Sequence, residues 1–353
     1  MRLPNAFTAT AIGSFPHDNP EQPLDIIFAS MPDAPVWPQL PKTGALESME
    51  IQYAEGMPRA VIDTGKSRLH FDTSGDYSED FADFYERYMT LMESGGDFGP
   101  LAIGPAHSKG IYALEKRLQA AGKKFPFVKV QVTGPCSFSL TVTDENKRAL
   151  YYNEEFRDVI AKAIALKSRW QIRKFAPYAE QIICFVDEPI LSAFGSSTYI
   201  AVKRDDVIAL LAEQVEAIHA DGALAGIHCC GNTEWSIPVE AGFDIINFDA
   251  YAYGETIALY PDAMKQFIGR GGVLAWGIVP TSEAIRSNDA ASLAERFGPL
   301  AADLAKKAGI DLTKIYASAM VTPSCGTGSL PVADAVKVFE VLKALPGELR
   351  TRY

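Results

Sequence analysis

Five histidines and five cysteines stand in 353 residues, and three of these side chains fall where they could act together. Gly226-Ile227-His228-Cys229-Cys230-Gly231 is an apolar run ending in an imidazole and two thiols. Read as a strand over 223–230, it alternates side chains between its faces, so His228 and Cys230 share one face and Cys229 takes the other. An imidazole and a thiolate two residues apart supply half of a tetrahedral zinc shell, with bonds of about 2.0–2.1 Å to nitrogen and about 2.3 Å to sulfur. Two later segments can bring the rest. Asp244-Ile245-Ile246-Asn247-Phe248-Asp249 reads as a buried strand with Asp249 at its carboxyl end, and 316–321 reads as another, running into Thr322-Pro323-Ser324-Cys325-Gly326. If these strands are parallel neighbours, Asp249 and Cys325 complete a set of one imidazole, two sulfurs and a carboxylate. The ordinary alternative is core packing, because free cysteine is among the most buried residue types and a strand histidine is often a hydrogen-bonded core residue.

Such a set needs a framework that brings distant strand ends together. Strand-like runs at 8–14, 35–40, 127–133, 181–187, 223–230, 244–249, 273–279 and 314–321 make eight. Helical patterns at 153–175, 205–220, 259–268, 292–307 and 332–345 separate the later ones, and Pro346 is expected to stop the last helix. Strand, loop and helix in repetition imply right-handed crossovers and a parallel sheet, and eight such strands close a (β/α)8 barrel. The chain reads as one barrel domain over 1–353. A hairpin over 59–71, turning at Asp63-Thr64-Gly65-Lys66, and the proline-rich loop after residue 20 read as insertions, and Phe81, Phe84, Tyr85, Tyr88 and Leu91 form a core stripe on a helix over 77–93. Ser14, Asp187, His228, Cys230, Asp249 and Cys325 all fall at carboxyl ends of the strands or just beyond, where barrels of this kind assemble their sites.

Two further stretches carry ligand chemistry. Ala11-Ile12-Gly13-Ser14-Phe15-Pro16 stops a short β run with a turn that could present backbone N–H groups and a hydroxyl to a carboxylate. In Val186-Asp187-Glu188-Pro189, alternation lets only one carboxylate face the barrel mouth; Asp187 is the one expected to bind an ammonium group or act as a base.

Bulk properties narrow the class. A net charge of −11 and a sequence pI near 5.0 argue against nucleic acid or an anionic membrane as partner. The cysteines, Cys136, Cys184, Cys229, Cys230 and Cys325, are odd in number and lack scaffold spacing, which suits a reducing compartment. Met1-Arg2-Leu3-Pro4-Asn5 begins no secretory leader, so a cytoplasmic protein is expected.

Together these residues resemble a family. The Ile12-Gly13-Ser14 turn, Val186-Asp187-Glu188-Pro189, the His228 and Cys230 pair, Asp249 at a strand end and Pro323-Ser324-Cys325-Gly326 are similar to the catalytic barrel of cobalamin-independent methionine synthase. That family sits in the wider superfamily of uroporphyrinogen decarboxylase and the methylcobalamin methyltransferases. The resemblance runs from residue 8 to about residue 330. It implies zinc held by His228, Cys230 and Cys325, with Asp249 where those synthases have Glu. It implies Ile12, Gly13 and Ser14 at the carboxylate of an amino-acid thiol, Asp187 at its ammonium, and a second substrate carboxylate at Glu47 or Glu55. Asp187, His228 and Cys230 then carry the catalysis.

The function so implied is transfer of a methyl group to a zinc-bound thiolate, with homocysteine as favoured acceptor and methionine as product. The long N-terminal half of the full synthase, which helps build its folate site, has no counterpart here. Near Gly277-Ile278-Val279-Pro280-Thr281, where the family places a histidine that protonates the departing folate nitrogen, no histidine stands. This favours methylcobalamin or a methylated corrinoid protein as donor over methyltetrahydrofolate. The alternatives are a uroporphyrinogen-decarboxylase-like lyase and a non-catalytic corrinoid- or metal-binding accessory protein; a homodimer is compatible with all three.

Overall fold

The computed structural model describes residues 6–94 and 96–353; the N-terminal stretch read for a leader, residues 1–5, lies outside them. Its strands are β1 (Thr8–Ala9), β2 (Ala60–Asp63), β3 (Arg68–Phe71), β4 (Phe125–Thr133), β5 (Thr143–Asp144), β6 (Ala179–Asp187), β7 (Leu224–Cys229), β8 (Ile245–Phe248), β9 (Val273–Val279) and β10 (Ala319–Pro323). Seven of them form a curled parallel sheet in the order β1-β10-β9-β8-β7-β6-β4. Helices Glu154–Phe175, Arg204–Ala220, Pro261–Gly269 and Ala290–Ala308 lie between successive strands, and Val332–Arg352 follows the last. Local chemistry sets their ends: the Asn153 side chain caps the first, and a capping box of Asp289 and Ser292 opens the fourth, which closes at Gly309 with φ of 62°. Among the described residues no helix is long and apolar enough to cross a membrane.

Alternation gives the sheet two faces. The inner one packs Phe127, Ile183, Phe185, Ile245, Val273 and Met320 into a small apolar cluster toward the amino ends of the strands. The same parity carries Lys129, Gln131, Asp187, His228, Asn247 and Thr322 nearer the carboxyl ends. A greasy floor thus supports a polar mouth.

Three expectations about elements are corrected. The first two barrel strands, expected at 8–14 and 35–40, shrink to Thr8–Ala9 and to isolated parallel bridges, Val36 with Lys129 and Gln39 with Ser14. Hydrogen bonds still close the ring: Lys129 N–H donates to Pro35 O at 2.9 Å, and Gln39 N–H to Gly13 O at 2.8 Å. Pro35, Pro38 and Pro41 have no N–H to offer a continuous ladder, which is why this stave of the barrel is not a strand. The expected strand at 314–321 begins instead as a short helix, Leu312–Ala317, because Asp311 caps it by accepting from Thr313 N–H at 2.8 Å. Finally, Pro346 does not stop the last helix; it lies inside it, where burial of Leu345, Pro346 and Leu349 outweighs one lost backbone bond. The hairpin β2–β3 and the buried Phe81, Phe84 and Leu91 stand where the sequence placed them.

Candidate metal and substrate site

β6 and β7 run in register with Asp187 beside His228, so two functional side chains emerge together at the mouth. Cys230 follows the end of β7, and Cys325 follows the end of β10. Their sulfurs and a ring nitrogen of His228 all lie within 4.8 Å of one another. Cys229 points the other way, as alternation requires: it is 1% exposed, and its thiol donates to Gly231 O at 3.6 Å.

The polarity of the His228 ring follows from its neighbour. Asn247 donates through Nδ2 to Ala275 O at 2.8 Å and to Thr322 Oγ1 at 2.7 Å, which leaves its Oδ1 to accept from His228 Nδ1 at 2.5 Å. A neutral ring whose proton sits on Nδ1 presents a lone pair at Nε2, and that atom is buried without a hydrogen-bond partner. Metal-binding histidines are commonly oriented in this way, by an oxygen that accepts from the ring nitrogen facing away from the metal. The thiols add to this. A hydrogen bond from Cys325 pushes the Cys230 thiol well below its ordinary value, while that same bond and burial push Cys325 up, so Cys230 is the more readily deprotonated of the two. A nitrogen and two sulfurs, with an orphaned nitrogen lone pair between them, fit zinc.

Beside this group lies a cavity of about 360 Å³, within the range of small-molecule sites. Ile12, Ser14, Gln39, Glu47, Asp187 and Cys325 are among the residues that line it. Asp187 is 6% exposed with Oδ1 unpartnered, and burial pushes its pKa up to about 6 against the opposing pull of Lys129 and His228. Glu47 is 3% exposed; it holds one oxygen against Lys109 N–H at 3.3 Å and leaves Oε2 unpartnered, and burial raises its pKa too. Among the described residues no arginine or lysine lines the cavity. Two desolvated carboxylates, each with an oxygen left unpartnered, suit a ligand that brings a cation into the cavity.

The expected residues sort as follows. Ile12, Ser14, Asp187, His228, Cys230 and Cys325 meet at the cavity. Gly13 does not line it: its φ is 142°, and a Cβ there would lie 2.5 Å from Gln131 Nε2, so glycine lets the turn pack against a side chain rather than open toward a ligand. Asp249 stands apart from the three clustered donors. Its Oδ1 accepts from Ala252 N–H at 2.7 Å and caps the short helix Ala250–Tyr253, so one oxygen of the carboxylate expected in the metal shell serves local structure. Of the neighbouring acids, Glu188 turns away to accept from Cys136 N–H, Ser137 N–H and Ser137 Oγ at 2.9, 2.7 and 2.6 Å. Glu55 is taken by Gly104 N–H at 2.6 Å and by His107, and of the two candidates Glu47 is the one that lines the cavity.

Sequence reasoning missed Asn247, although strand parity puts it on the inner face with His228. It also missed Gln39, which sits on irregular backbone with no period to mark it, and Met49, which opens the short helix Met49–Ala54.

No family model matches the chain, and no curated protein does. Among solved structures, a methyltransferase from Methanosarcina mazei superposes with a TM-score of 0.54 at 12% identity, over 97% of this chain and 93% of that one. ZgEngAGH5_4 in complex with a cellotriose covers 66% of this chain and 87% of its own at 12% identity, but its TM-score of 0.32 is too low to bear on the argument. At 12% identity the likeness is one of fold: this chain is similar, along nearly its whole length, to a TIM-barrel-like structure in which a parallel sheet curls inside a layer of helices.

Proposed function

We propose that this chain is a zinc-dependent thiol S-methyltransferase, with homocysteine as favoured acceptor and methionine as product. The observation that carries the reading is the pairing, in one cavity, of a His228, Cys230 and Cys325 donor set with two carboxylates that each leave an oxygen unpartnered and, among the described residues, no arginine or lysine in the lining. Bound there, zinc would lower the pKa of an incoming thiol and present its sulfur as a nucleophile at neutral pH. Asp187 and Glu47 offer oxygens to the acceptor's ammonium, and the Ser14 hydroxyl stands on the same wall for its carboxylate. An anionic thiol without an amine would meet only repulsion. The superposed archaeal protein is called a methyltransferase, which agrees with this reading.

In the reaction a sulfur–carbon bond forms as the methyl group leaves its donor with the bonding pair left behind. A corrinoid takes that pair on cobalt and needs no proton, whereas a folate amine needs one. His228 is the one histidine lining the cavity, and Gly277 has no room for a side chain, since a Cβ there would lie 2.5 Å from Phe248 O. Both favour methylcobalamin or a methylated corrinoid protein as donor over methyltetrahydrofolate. A uroporphyrinogen-decarboxylase-like lyase would need cations for its polycarboxylate substrate, and the lining supplies none; an accessory metal- or corrinoid-binding protein would have no use for the two orphaned carboxylates.

Elemental analysis and a methyl-transfer assay test this. Protein prepared with zinc should carry about one ion per chain and methylate homocysteine faster from methylcobalamin than from methyltetrahydrofolate. Absence of zinc, or no transfer from either donor, would overturn the reading; the reverse donor order would overturn its corrinoid half.

A further inference from the structure

Cys325 lies on irregular backbone, and what holds it there is narrow. Upstream, Ser324 is fastened to the end of β9: its N–H donates to Val279 O at 2.8 Å, and its hydroxyl accepts from Thr281 N–H at 3.1 Å. Downstream, the chain is fastened to a turn 313 residues away in sequence. Ser14 O accepts from Thr327 N–H at 2.8 Å and from the Thr327 hydroxyl at 2.9 Å. Ser14 Oγ accepts from Gly328 N–H at 3.2 Å. Gly326 closes against the same side chain, since a Cβ there would lie 2.0 Å from Ser14 Oγ. The stretch after Cys325 is therefore zipped onto the one residue of the substrate wall best placed to meet a carboxylate. Thr327 is 1% exposed and does not line the cavity, so neither metal nor substrate contact accounts for its hydroxyl.

We propose that Thr327 is a positioning residue that locks the Cys325 loop to the Ser14 turn, so that the sulfur donor and the acceptor's wall hold one another in place. This deepens the methyltransferase reading and rests on it for the identities of metal and acceptor. A ligand that steadies Ser14 then steadies Cys325, and by linkage a metal that fixes Cys325 improves the fit at Ser14.

Two substitutions separate this role from packing. Thr327→Val keeps the shape and loses the hydroxyl; Thr327→Ser keeps the hydroxyl and loses a methyl. A packing role makes the serine variant the worse of the two, and a positioning hydrogen bond makes it the valine variant. In metal-stripped protein, alkylation of Cys325 by iodoacetamide, followed residue by residue with mass spectrometry, should run about fivefold faster in T327V than in the wild type and close to wild type in T327S. Zinc affinity, from competition with a chromophoric chelator, should fall by a similar factor in T327V alone. Should T327V fail to fold, T327A, which also removes the hydroxyl that bonds Ser14 O, should show the same faster alkylation. Unchanged alkylation in a folded T327V or, in its stead, T327A, or a larger effect in T327S, overturns the proposal. Alkylation needs no metal, so it still decides if the wild type binds no zinc, a result that would overturn the methyltransferase reading instead.

Discussion

The two walls of the cavity are built by different means. On one, Asp187, His228 and Asn247 stand on adjacent strands in parallel register, each inward by alternation and each backed by ladder hydrogen bonds. On the other, Ile12, Ser14, Gln39 and Glu47 stand on backbone that pairs through isolated bridges and short turns, with side chains supplying the missing bonds: Lys129 Nζ to Ile12 O at 2.6 Å and Gln131 Nε2 to Trp37 O at 3.1 Å. The strand wall fixes donors whose geometry must be held closely. The irregular wall meets the substrate, where a different reach or charge can be accommodated without disturbing the sheet.

If that division is right, breaking the donor set has the largest effect. Cys230→Ala and Cys325→Ser should each lower zinc affinity by about a hundredfold or more and abolish methyl transfer, read by chelator competition and product formation. Next comes Asn247→Ala, which leaves all three donors but frees the His228 ring; zinc affinity should fall about 10- to 100-fold, with the circular dichroism spectrum unchanged. Affinity equal to wild type in Asn247→Ala would mean that the strand wall does not orient its histidine through this bond.

Changes at the charged substrate contacts should sort differently. Asp187→Asn and Glu47→Gln should raise the acceptor's KM roughly tenfold or more while leaving zinc content intact, because each removes a charge-assisted contact to an ammonium. The wild-type KM should also respond to pH. Asp187 pairs with the ammonium only when ionised, and burial has raised its pKa to about 6. Protonation therefore sets in as pH falls through about 6, and KM should climb there at constant zinc occupancy in the wild type but stay flatter in Asp187→Asn. Loss of zinc in Glu47→Gln would show that the two walls are not separable.

The same division governs what the sequence disclosed. Strands with period-two alternation and helices with caps were legible, and with them His228 and Asp187, because a residue's place on a regular element fixes where it points; Cys230 and Cys325 were legible because they follow the carboxyl ends of such strands. Asp249 stayed ambiguous for a local reason: a carboxylate at a strand end is equally an N-cap, and the helix that follows takes up one of its oxygens. Glu47 could be narrowed to one of two candidates and no further, since no period marks a residue on a 3₁₀ turn. The first two staves of the barrel were overcalled because β-prone residues sit between prolines that cannot complete a ladder.

The smallest effect should come from Gly13, and it tests the irregular wall most directly. Its φ of 142° is costly for any other residue, and an added Cβ would meet Gln131 Nε2 at 2.5 Å. Gln131 cannot simply withdraw: its Nε2 donates to Trp37 O, its Oε1 accepts from Lys129 Nζ at 3.2 Å, and its backbone carbonyl is held by Tyr53 and Gln171. Gly13→Ala should therefore cost about 1–3 kcal/mol of stability and lower the Tm by several degrees. Zinc affinity should stay near wild type, because His228, Cys230 and Asn247 belong to the other wall and the Thr327 bonds to Ser14 need no change at Gly13. An alanine variant that melts like wild type would show that this wall is plastic enough to absorb a side chain at the Gly13 turn.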